Sequence, residues 1–285
     1  MAYPSPLISL RKVSDIKTFE DKGHGASDRM QVGVGMNIVF LAAGRGSRLS
    51  ELTIDTHKSL LPVAGKPALQ HILDIAVASK PRDIVIVTGY KNDDIEAFIR
   101  SAYGDAIRTV LNERYASDTN ILSTDIGVDA LHRPHDGYQI VETDIVMQAA
   151  GWQRIFRGER NVSEWSTRGI YSYNLTGGAL KADENGQVEG IVYAPQYDAR
   201  YEGWSKLLGT LYVGKGEVEA DRRIRKQAIG KTIAQYYMTP WAENLEELPC
   251  SKLDLSTFFA ASYNDVNAYL NATQAFEKMA AGHGA

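Results

Sequence analysis

The stretch Met36-Asn-Ile-Val-Phe-Leu-Ala-Ala-Gly-Arg-Gly-Ser-Arg-Leu-Ser50 constrains this chain more than any other. Ile38 to Ala42 form an uninterrupted apolar run, short enough to read as a strand buried on both faces. That strand empties into a turn carrying Gly44, Arg45, Gly46 and Arg48. The glycines let the backbone take positive φ and bring its N–H groups close to a ligand, while the arginines supply planar, charge-assisted donors. An ordinary tight turn needs the glycines but not two arginines at the mouth of a buried strand. The loop suits a polyphosphate.

Beyond the loop, strand and helix patterns alternate. Ala68 to Ala78 has apolar residues at helical spacing, Asp83 to Thr88 is a β-branched strand, and Asp93 to Ala102 is a second helix. A strand at Ile107 to Leu111, a helix at Thr119 to Leu131 and a strand at Tyr138 to Thr143 follow. Such alternation implies an α/β fold whose parallel sheet is covered on both faces, with ligands bound beyond the C-terminal ends of the strands. The second half predicts shorter strands at 171–176, 179–182, 188–193 and 206–213, with Asp183-Glu-Asn-Gly186 as a hairpin turn, so the sheet is expected to become mixed. A helix over 216–237, a strand over 253–259 and a closing helix over 265–281 complete the reading. Residues 1–35 carry mixed charge and four glycines, Gly23, Gly25, Gly33 and Gly35, and are expected to form a loosely ordered extension, with one domain over 36–285.

A net charge of −4 provides no broad basic field, which argues against a nucleic-acid partner while leaving room for a local cationic pocket. Cys250 is the only cysteine, so an internal disulfide, a cysteine-based zinc cluster and a CxxC redox site are excluded. No window approaches the roughly 18 to 20 apolar residues of a membrane span, and no signal-peptide core is visible at the N-terminus. A cytoplasmic location is expected.

The glycine loop does not fit two familiar phosphate motifs. A dinucleotide fingerprint needs a third glycine where this chain has Leu49, and Gly230-Lys231-Thr232 has a Walker ending but Arg225 where the first glycine belongs. Instead, Leu41-Ala-Ala-Gly-x-Gly-x-Arg-Leu49, Leu52-Thr53 and Lys58-x-Leu-Leu-Pro-Val-x-Gly-Lys-Pro67 resemble the signature of the nucleotidyltransferases that activate sugar phosphates and small phosphorylated alcohols. The resemblance implies a Rossmann-like three-layer nucleotidyltransferase fold with a mixed, mainly parallel central sheet. It also implies that Leu41, Ala42, Ala43, Gly44, Gly46 and Arg48 hold a nucleoside triphosphate, with Lys58 reaching the phosphates of the reacting pair. Arg48 and Lys58 are the catalytic candidates. The family usually has proline before this lysine; His57, which stands there, reads as a tolerated loop residue rather than a general base.

Asn112-Glu-Arg-Tyr-Ala-Ser-Asp-Thr-Asn-Ile-Leu-Ser123 resembles the phosphocholine cytidylyltransferase-like branch, which includes enzymes acting on aminoalkyl phosphonates. This implies nucleotide contacts from Asn112 and Asn120. Read from the residues alone, Asp118 or Thr119 can cap the next helix, and the Asn120 amide in its first turn is free for a ligand. Asp144, after the next strand, corresponds to the aspartate with which the family binds Mg²⁺; Glu142 and Asp125 read as decoys, Asp125 on a solvated helix face. Asp265 either provides a second metal ligand or only caps the closing helix, and Asn267 is held in reserve. Lys206 resembles a residue lining the acceptor side, where a phosphate or phosphonate wants a cation; the alternative is an edge-strand lysine. Trp152, Trp165, Trp204, Trp241, Tyr236 and Tyr237 include the candidates for an aromatic cage around a quaternary amine.

The reaction implied is attack by a small phosphate or phosphonate acceptor on the α-phosphorus of a nucleoside triphosphate, CTP preferred, with release of pyrophosphate. A sugar-1-phosphate uridylyl- or guanylyltransferase is the near alternative, and a catalytically inactive nucleotide sensor the alternative of another class. The oligomeric state, a homo-oligomer included, is left open.

Overall fold

The computed structural model describes residues 35–282, so all but the last residue of the expected N-terminal extension lies outside the described residues. β1 (Asn37–Ala42) leads through the glycine loop and two 3-10 turns, Ser47–Thr53 and Lys58–Leu60, into a small hairpin of β2 (Pro62–Val63) and β3 (Lys66–Pro67). Then come α1 (Ala68–Ala78), β4 (Asp83–Thr88), α2 (Asn92–Tyr103), β5 (Arg108–Leu111), α3 (Ile121–Asp129) and β6 (Tyr138–Glu142). β7 (Ile145–Met147), α4 (Ala149–Ile155), β8 (Ser163–Ile170), β9 (Gly177–Ala182), β10 (Val188–Ala194) and β11 (Ser205–Val213) carry the chain through its middle. α5 (Val218–Lys231), α6 (Met238–Glu243), β12 (Cys250–Asp254), β13 (Ala260–Ser262) and α7 (Val266–Gly282) close it.

The central sheet runs in the order β10-β9-β11-β6-β1-β4-β5, with β8 also on β11 and β12 on β8. β5, β4, β1 and β6 are mutually parallel, and β11 joins β6 antiparallel, which is where the sheet becomes mixed. Side chains of β1 and β4 alternate between two helical layers because strand residues point alternately to opposite faces. Val39, Leu41, Val85 and Val87 pack with Ile121 and Val128 of α3 and Ile224 of α5. Ile38, Phe40, Ala42, Ile84 and Ile86 pack with Leu69 and Ile72 of α1, Ile95 of α2 and Trp152 of α4. Fully burying each such side chain contributes roughly 1.5–3 kcal/mol, so two dry layers fix the position of the β1 end. A third cluster folds α7 onto the loop region, with Tyr269 and Phe276 against Leu49, Leu61 and Val63. The last element of the chain thereby braces the first loop.

Four expectations are corrected. The strand expected at 171–176 is an irregular loop closed by an isolated Ser172–Leu175 bridge, and the strand lies earlier, at β8. Its buried Ser163, Ser166 and Thr167 concealed it, since small polar residues read as a turn rather than a core strand. The helix expected over 216–237 ends at Lys231, because Thr232 turns extended and the Ile233 carbonyl accepts from the Thr119 N–H. Of the strand expected over 253–259, only Leu253 and Asp254, the end of β12, are extended in a strand; 255–259 form a turn that precedes β13. Asp125 is not solvated: it is buried in α3 and accepts from Arg225 Nε at 3.1 Å and Lys226 Nζ at 2.9 Å.

Arg225 also pairs with Asp221, which accepts from the Tyr138 hydroxyl and from Trp241 Nε1 at 2.7 Å. This buried network locks α3 and α5 together beneath one wall of the site. Removing one partner of such a pair strands a buried charge, whereas an exposed pair contributes little. Arg225→Met is expected to lose about 3–5 kcal/mol of unfolding free energy. Lys226→Ala, at a half-exposed side chain, is expected to lose about 0–1 kcal/mol. Urea denaturation followed by far-ultraviolet dichroism checks both, and equal losses would contradict the assignment.

Candidate functional site

A pocket of about 610 Å³ opens beyond the C-terminal ends of β1 and β6, the position parallel sheets favour for ligands. Leu41, Ala43, Gly44, Gly46 and Arg48 line it. Ala42 faces the opposite core layer with Phe40, as strand alternation requires. Arg45 turns outward, its guanidinium 5.6 Å from the centre of the Tyr90 ring. Gly46 has φ of 65°, and a Cβ there would lie 3.1 Å from the Lys58 side chain, so the loop needs glycine for conformation and for space. The Ala43 carbonyl accepts from the Tyr90 N–H at 3.0 Å and the Gly44 carbonyl contacts His57 Nε2 at 3.1 Å. Among the described residues, neither the Gly44 nor the Arg45 N–H has a hydrogen-bond partner. Two loop amides are therefore left for an anion.

Lys58 occupies the centre. Its Nζ lies 2.8 Å from Asp144 Oδ2, in a pair whose side chains are only 15% and 7% exposed. The backbone around it is pinned from three sides. Ser59 Oγ lies 2.7 Å from Thr143 Oγ1, which donates to the Leu41 carbonyl at 2.9 Å. The Tyr263 hydroxyl donates to the Lys58 carbonyl at 3.1 Å, while the Tyr263 N–H donates to the Asp144 carbonyl at 3.0 Å. His57 accepts the Ser59 N–H on Nδ1 at 3.1 Å and is completely buried. Burial, reinforced by the neighbouring Lys58 charge, pushes its pKa down to about 4, so the ring is neutral at ordinary pH. The expectation of a merely tolerated loop residue is thus corrected: His57 bonds on both ring nitrogens.

Asn112 and Asn120 sit differently from each other. Asn112 is fully buried under the wall, where its amide donates to Asp118 Oδ2 and Ser123 Oγ at 2.9 Å and its oxygen accepts from the Arg114 N–H at 2.9 Å. Asp118, accepting the Leu122 and Ser123 N–H groups at 3.0 and 2.8 Å, is the helix cap. Asn120 lines the pocket, but its amide is engaged: Nδ2 donates to Glu142 Oε1 at 3.2 Å and Oδ1 accepts from the Tyr237 N–H at 2.8 Å.

Three carboxylates border the middle of the pocket. Asp144 Oδ1 is buried without a hydrogen-bond partner among the described residues, and a hard carboxylate oxygen of this kind fits a divalent cation. Asp265 is exposed and lines the pocket while accepting the Ala268 N–H at 2.8 Å, so it caps α7 and faces the site at once. Asn267 is exposed on α7 and is not part of the lining. Glu142 is no bystander: burial and then the Asp144 charge push its carboxyl pKa up. β11 clears it only through Gly209, at φ of 85°, where a Cβ would come within 2.6 Å of Glu142 Oε2. No group of three or more His, Cys, Asp or Glu able to hold a metal occurs among the described residues. A two-carboxylate site suits Mg²⁺, which takes its remaining ligands from phosphate and water.

Lys206 also lines the pocket; it is buried on β11, between β9 and β6, rather than on an edge strand, and its Nζ donates to the Leu207 carbonyl at 2.8 Å. Burial first, then the charge of Arg168, lowers its pKa to about 8. Arg168 lines the same pocket with its Nε buried and unpartnered, while its Nη1 and Nη2 hold the Ala260 carbonyl and Ser262 Oγ at 3.1 and 3.2 Å. Of the aromatic candidates, Trp165, Tyr236 and Tyr237 line the pocket, with Trp165 and Tyr237 stacked at 5.5 Å. Trp152 and Trp241 are buried in the core layers, and Trp204 packs against Tyr201. Sequence reasoning missed Arg168 because its strand was not seen. Glu142 had a usable signal, two residues before Asp144 and so on the same side of an extended chain.

Residues 38–158 match the family model described as the MobA-like NTP transferase domain. The choline-phosphate cytidylyltransferase of Haemophilus influenzae is 35% identical over 112 residues, 39% of this chain and 45% of that protein. The CMP-5'-(3-aminopropyl)phosphonate synthase of Streptomyces rubellomurinus is 29% identical over 154 residues, 54% of this chain and 24% of that protein. The matched segments thus span less than half the length of either relative. A solved structure of the CTP:phosphocholine cytidylyltransferase of Streptococcus pneumoniae has the same fold, with a TM-score of 0.69 at 19% identity, covering 85% of this chain and 99% of that one. No helix among the described residues is long and apolar enough to cross a membrane.

The bonds of Asn112 are those of a structural tie between the β5 end and the α3 cap. Asn112→Ala is expected to lower the unfolding free energy by about 1–3 kcal/mol, the cost of leaving buried partners unsatisfied. Chemical denaturation checks this, and a variant as stable as wild type would free Asn112 for a ligand role.

Proposed function

We propose that this chain, a nucleotidyltransferase by the MobA-like NTP transferase domain at 38–158, transfers CMP from CTP to a small phosphate or phosphonate acceptor and releases pyrophosphate. The observation that carries the proposal is one pocket lined by four cationic side chains, Arg48, Lys58, Arg168 and Lys206. Lys58 and Asp144 line it as a pair, and the glycine loop on its border carries two unpartnered amides. Two anions can meet there and nowhere along the path is a nucleophilic side chain required.

The acceptor oxygen attacks the α-phosphorus, forming a new P–O bond as the bond to the β-phosphate oxygen breaks and pyrophosphate leaves. An ionised phosphate is already nucleophilic, so catalysis rests on placement and charge neutralisation. The loop from Leu41 to Arg48 holds the triphosphate, with Asn120 at its border. Lys58 leaves its pair with Asp144 to offset charge on the reacting phosphates. Asp144 and Asp265 are the residues proposed to hold Mg²⁺, which when bound neutralises phosphate oxygens and favours in-line displacement. Lys206 and Arg168 receive the acceptor anion, and the Trp165–Tyr237 stack shapes the space beside it. CTP is preferred on the Asn112 to Ser123 segment and on the cytidylyl names of the relatives.

Pyrophosphate release measured with CTP, UTP, GTP and ATP against phosphocholine, 2-aminoethylphosphonate and sugar 1-phosphates tests the reading. CTP with a small phosphate or phosphonate is expected to lead. Preference for UTP or GTP with a sugar phosphate would move the chain to the sugar branch, and no release with any pair would leave a sensor. Lys58→Ala and Asp144→Ala are each expected to lose at least about a hundredfold in kcat while keeping wild-type dichroism, as for loss of one electrostatic contact to the transition state. Wild-type turnover in either variant would refute their roles.

Lys206 gives the reading a pH signature. Its pKa is lowered to about 8, so in the free enzyme it is cationic below that value and neutral above it. Since kcat/KM reports groups of the free enzyme, acceptor kcat/KM is expected to fall as pH rises through about 8. Lys206→Arg should move the fall to higher pH, and a flat profile in wild type would contradict an acceptor role for this lysine.

A further inference from the structure

We propose that His57 is a positioning residue that ties the phosphate-facing glycine loop to the turn bearing Lys58, turning the Gly44 carbonyl away so that the adjoining N–H groups face a bound triphosphate. The inference rests on the nucleotidyl-transfer reading and extends it to a residue that touches neither substrate.

The tautomer follows from the partners. A backbone N–H can only donate, so the Ser59 N–H at 3.1 Å makes His57 Nδ1 the acceptor. The ring proton is then on Nε2, which donates to the Gly44 carbonyl at 3.1 Å. The ring is fully buried, with a pKa near 4, so this one neutral form persists. The space a Cβ on Gly44 would occupy is open, with no atom within 4 Å. A planar trans peptide sets its C=O and N–H in opposite directions, so fixing the Gly44 carbonyl also fixes the Arg45 N–H. The Tyr90 N–H does the same for the preceding peptide, by holding the Ala43 carbonyl at 3.0 Å. Two consecutive amides are thereby presented as a small anion-binding nest. Through Ser59, the same ring caps the 3-10 turn that begins at Lys58. One imidazole therefore sets the spacing between the triphosphate loop and the central cation. A proline at 57 would stiffen the turn but offer no donor to Gly44.

Two substitutions separate the two bonds. His57→Asn keeps an acceptor for the Ser59 N–H and cannot reach Gly44, whereas His57→Gln places an amide donor near the position of Nε2 and gives up the Ser59 bond. Titration calorimetry of the full chain with CTP and, separately, with inorganic tripolyphosphate, both with Mg²⁺, reads the outcome. For His57→Asn the affinity for both probes should fall about tenfold, the scale of one lost buried hydrogen bond. His57→Gln should stay within about threefold of wild type on the same scale. A structural role alone would weaken both variants alike, in step with their unfolding midpoints. Equal weakening, or wild-type affinity in His57→Asn, overturns the assignment while leaving the nucleotidyl-transfer reading standing. Failure of the wild-type chain to bind either probe overturns both. Should His57→Asn not fold, the side-chain ¹⁵N resonances of wild-type His57 decide. A protonated Nε2 whose shift moves on adding tripolyphosphate supports the proposal, and an unmoved shift or a protonated Nδ1 overturns it.

Discussion

The Lys58–Asp144 ion pair is the constraint on which the rest of the site depends. Its two members come from loops at the ends of adjacent parallel strands, β1 and β6. Each would be a nearly buried charge without the other, and an unpaired buried charge is costly. The sheet therefore has to bring those two loops to the same place, and the dry layers on both faces of β1 prevent it from doing otherwise. The proposed reaction draws on that pair. A lysine whose only ion-pair partner is a carboxylate can exchange that carboxylate for a phosphate, and the freed carboxylate can then face a cation.

Preorganisation extends outward from that pair through hydrogen bonds rather than through apolar contact. Ser59 reaches Thr143 and through it Leu41; Tyr263 holds the backbones of Lys58 and Asp144 together; His57 spans to Gly44. These bonds link four segments distant in sequence, and α7 presses on them from outside through Tyr269 and Phe276. The arrangement is costly to reorganise, which is what the proposed electrostatic catalysis would require of its surroundings. It also explains why the C-terminal helix α7 borders the pocket of a chain whose signature motifs lie in its first quarter.

Much of this was legible in the sequence because it is local. The apolar run at Ile38 to Ala42, the helix at Ala68 to Ala78 and the strand at Asp83 to Thr88 are set by periodicity and fell where expected. What escaped depends on partners far away in the chain. β8 hides behind buried serine and threonine, Asp125 looks solvated until Arg225 arrives from a hundred residues on, and His57 looks incidental until Gly44 is beside it. Asn112 and Asn120 show the same boundary from the other side. Their residue types suit ligand contact, yet the hydrogen bonds of Asn112 go to Asp118 and Ser123 in its own segment, and those of Asn120 to Glu142 and Tyr237, which no short-range pattern places next to it.

The most direct test of the central claim is a crystal structure of the chain with CTP and Mn²⁺, read by anomalous scattering. A manganese peak is expected at coordinating distance from Asp144 Oδ1, with the triphosphate on the Gly44 and Arg45 amides and Lys58 Nζ turned from Asp144 to a phosphate oxygen. Triphosphate bound away from the glycine loop, or a metal peak remote from Asp144 with the Lys58–Asp144 pair intact, would contradict it.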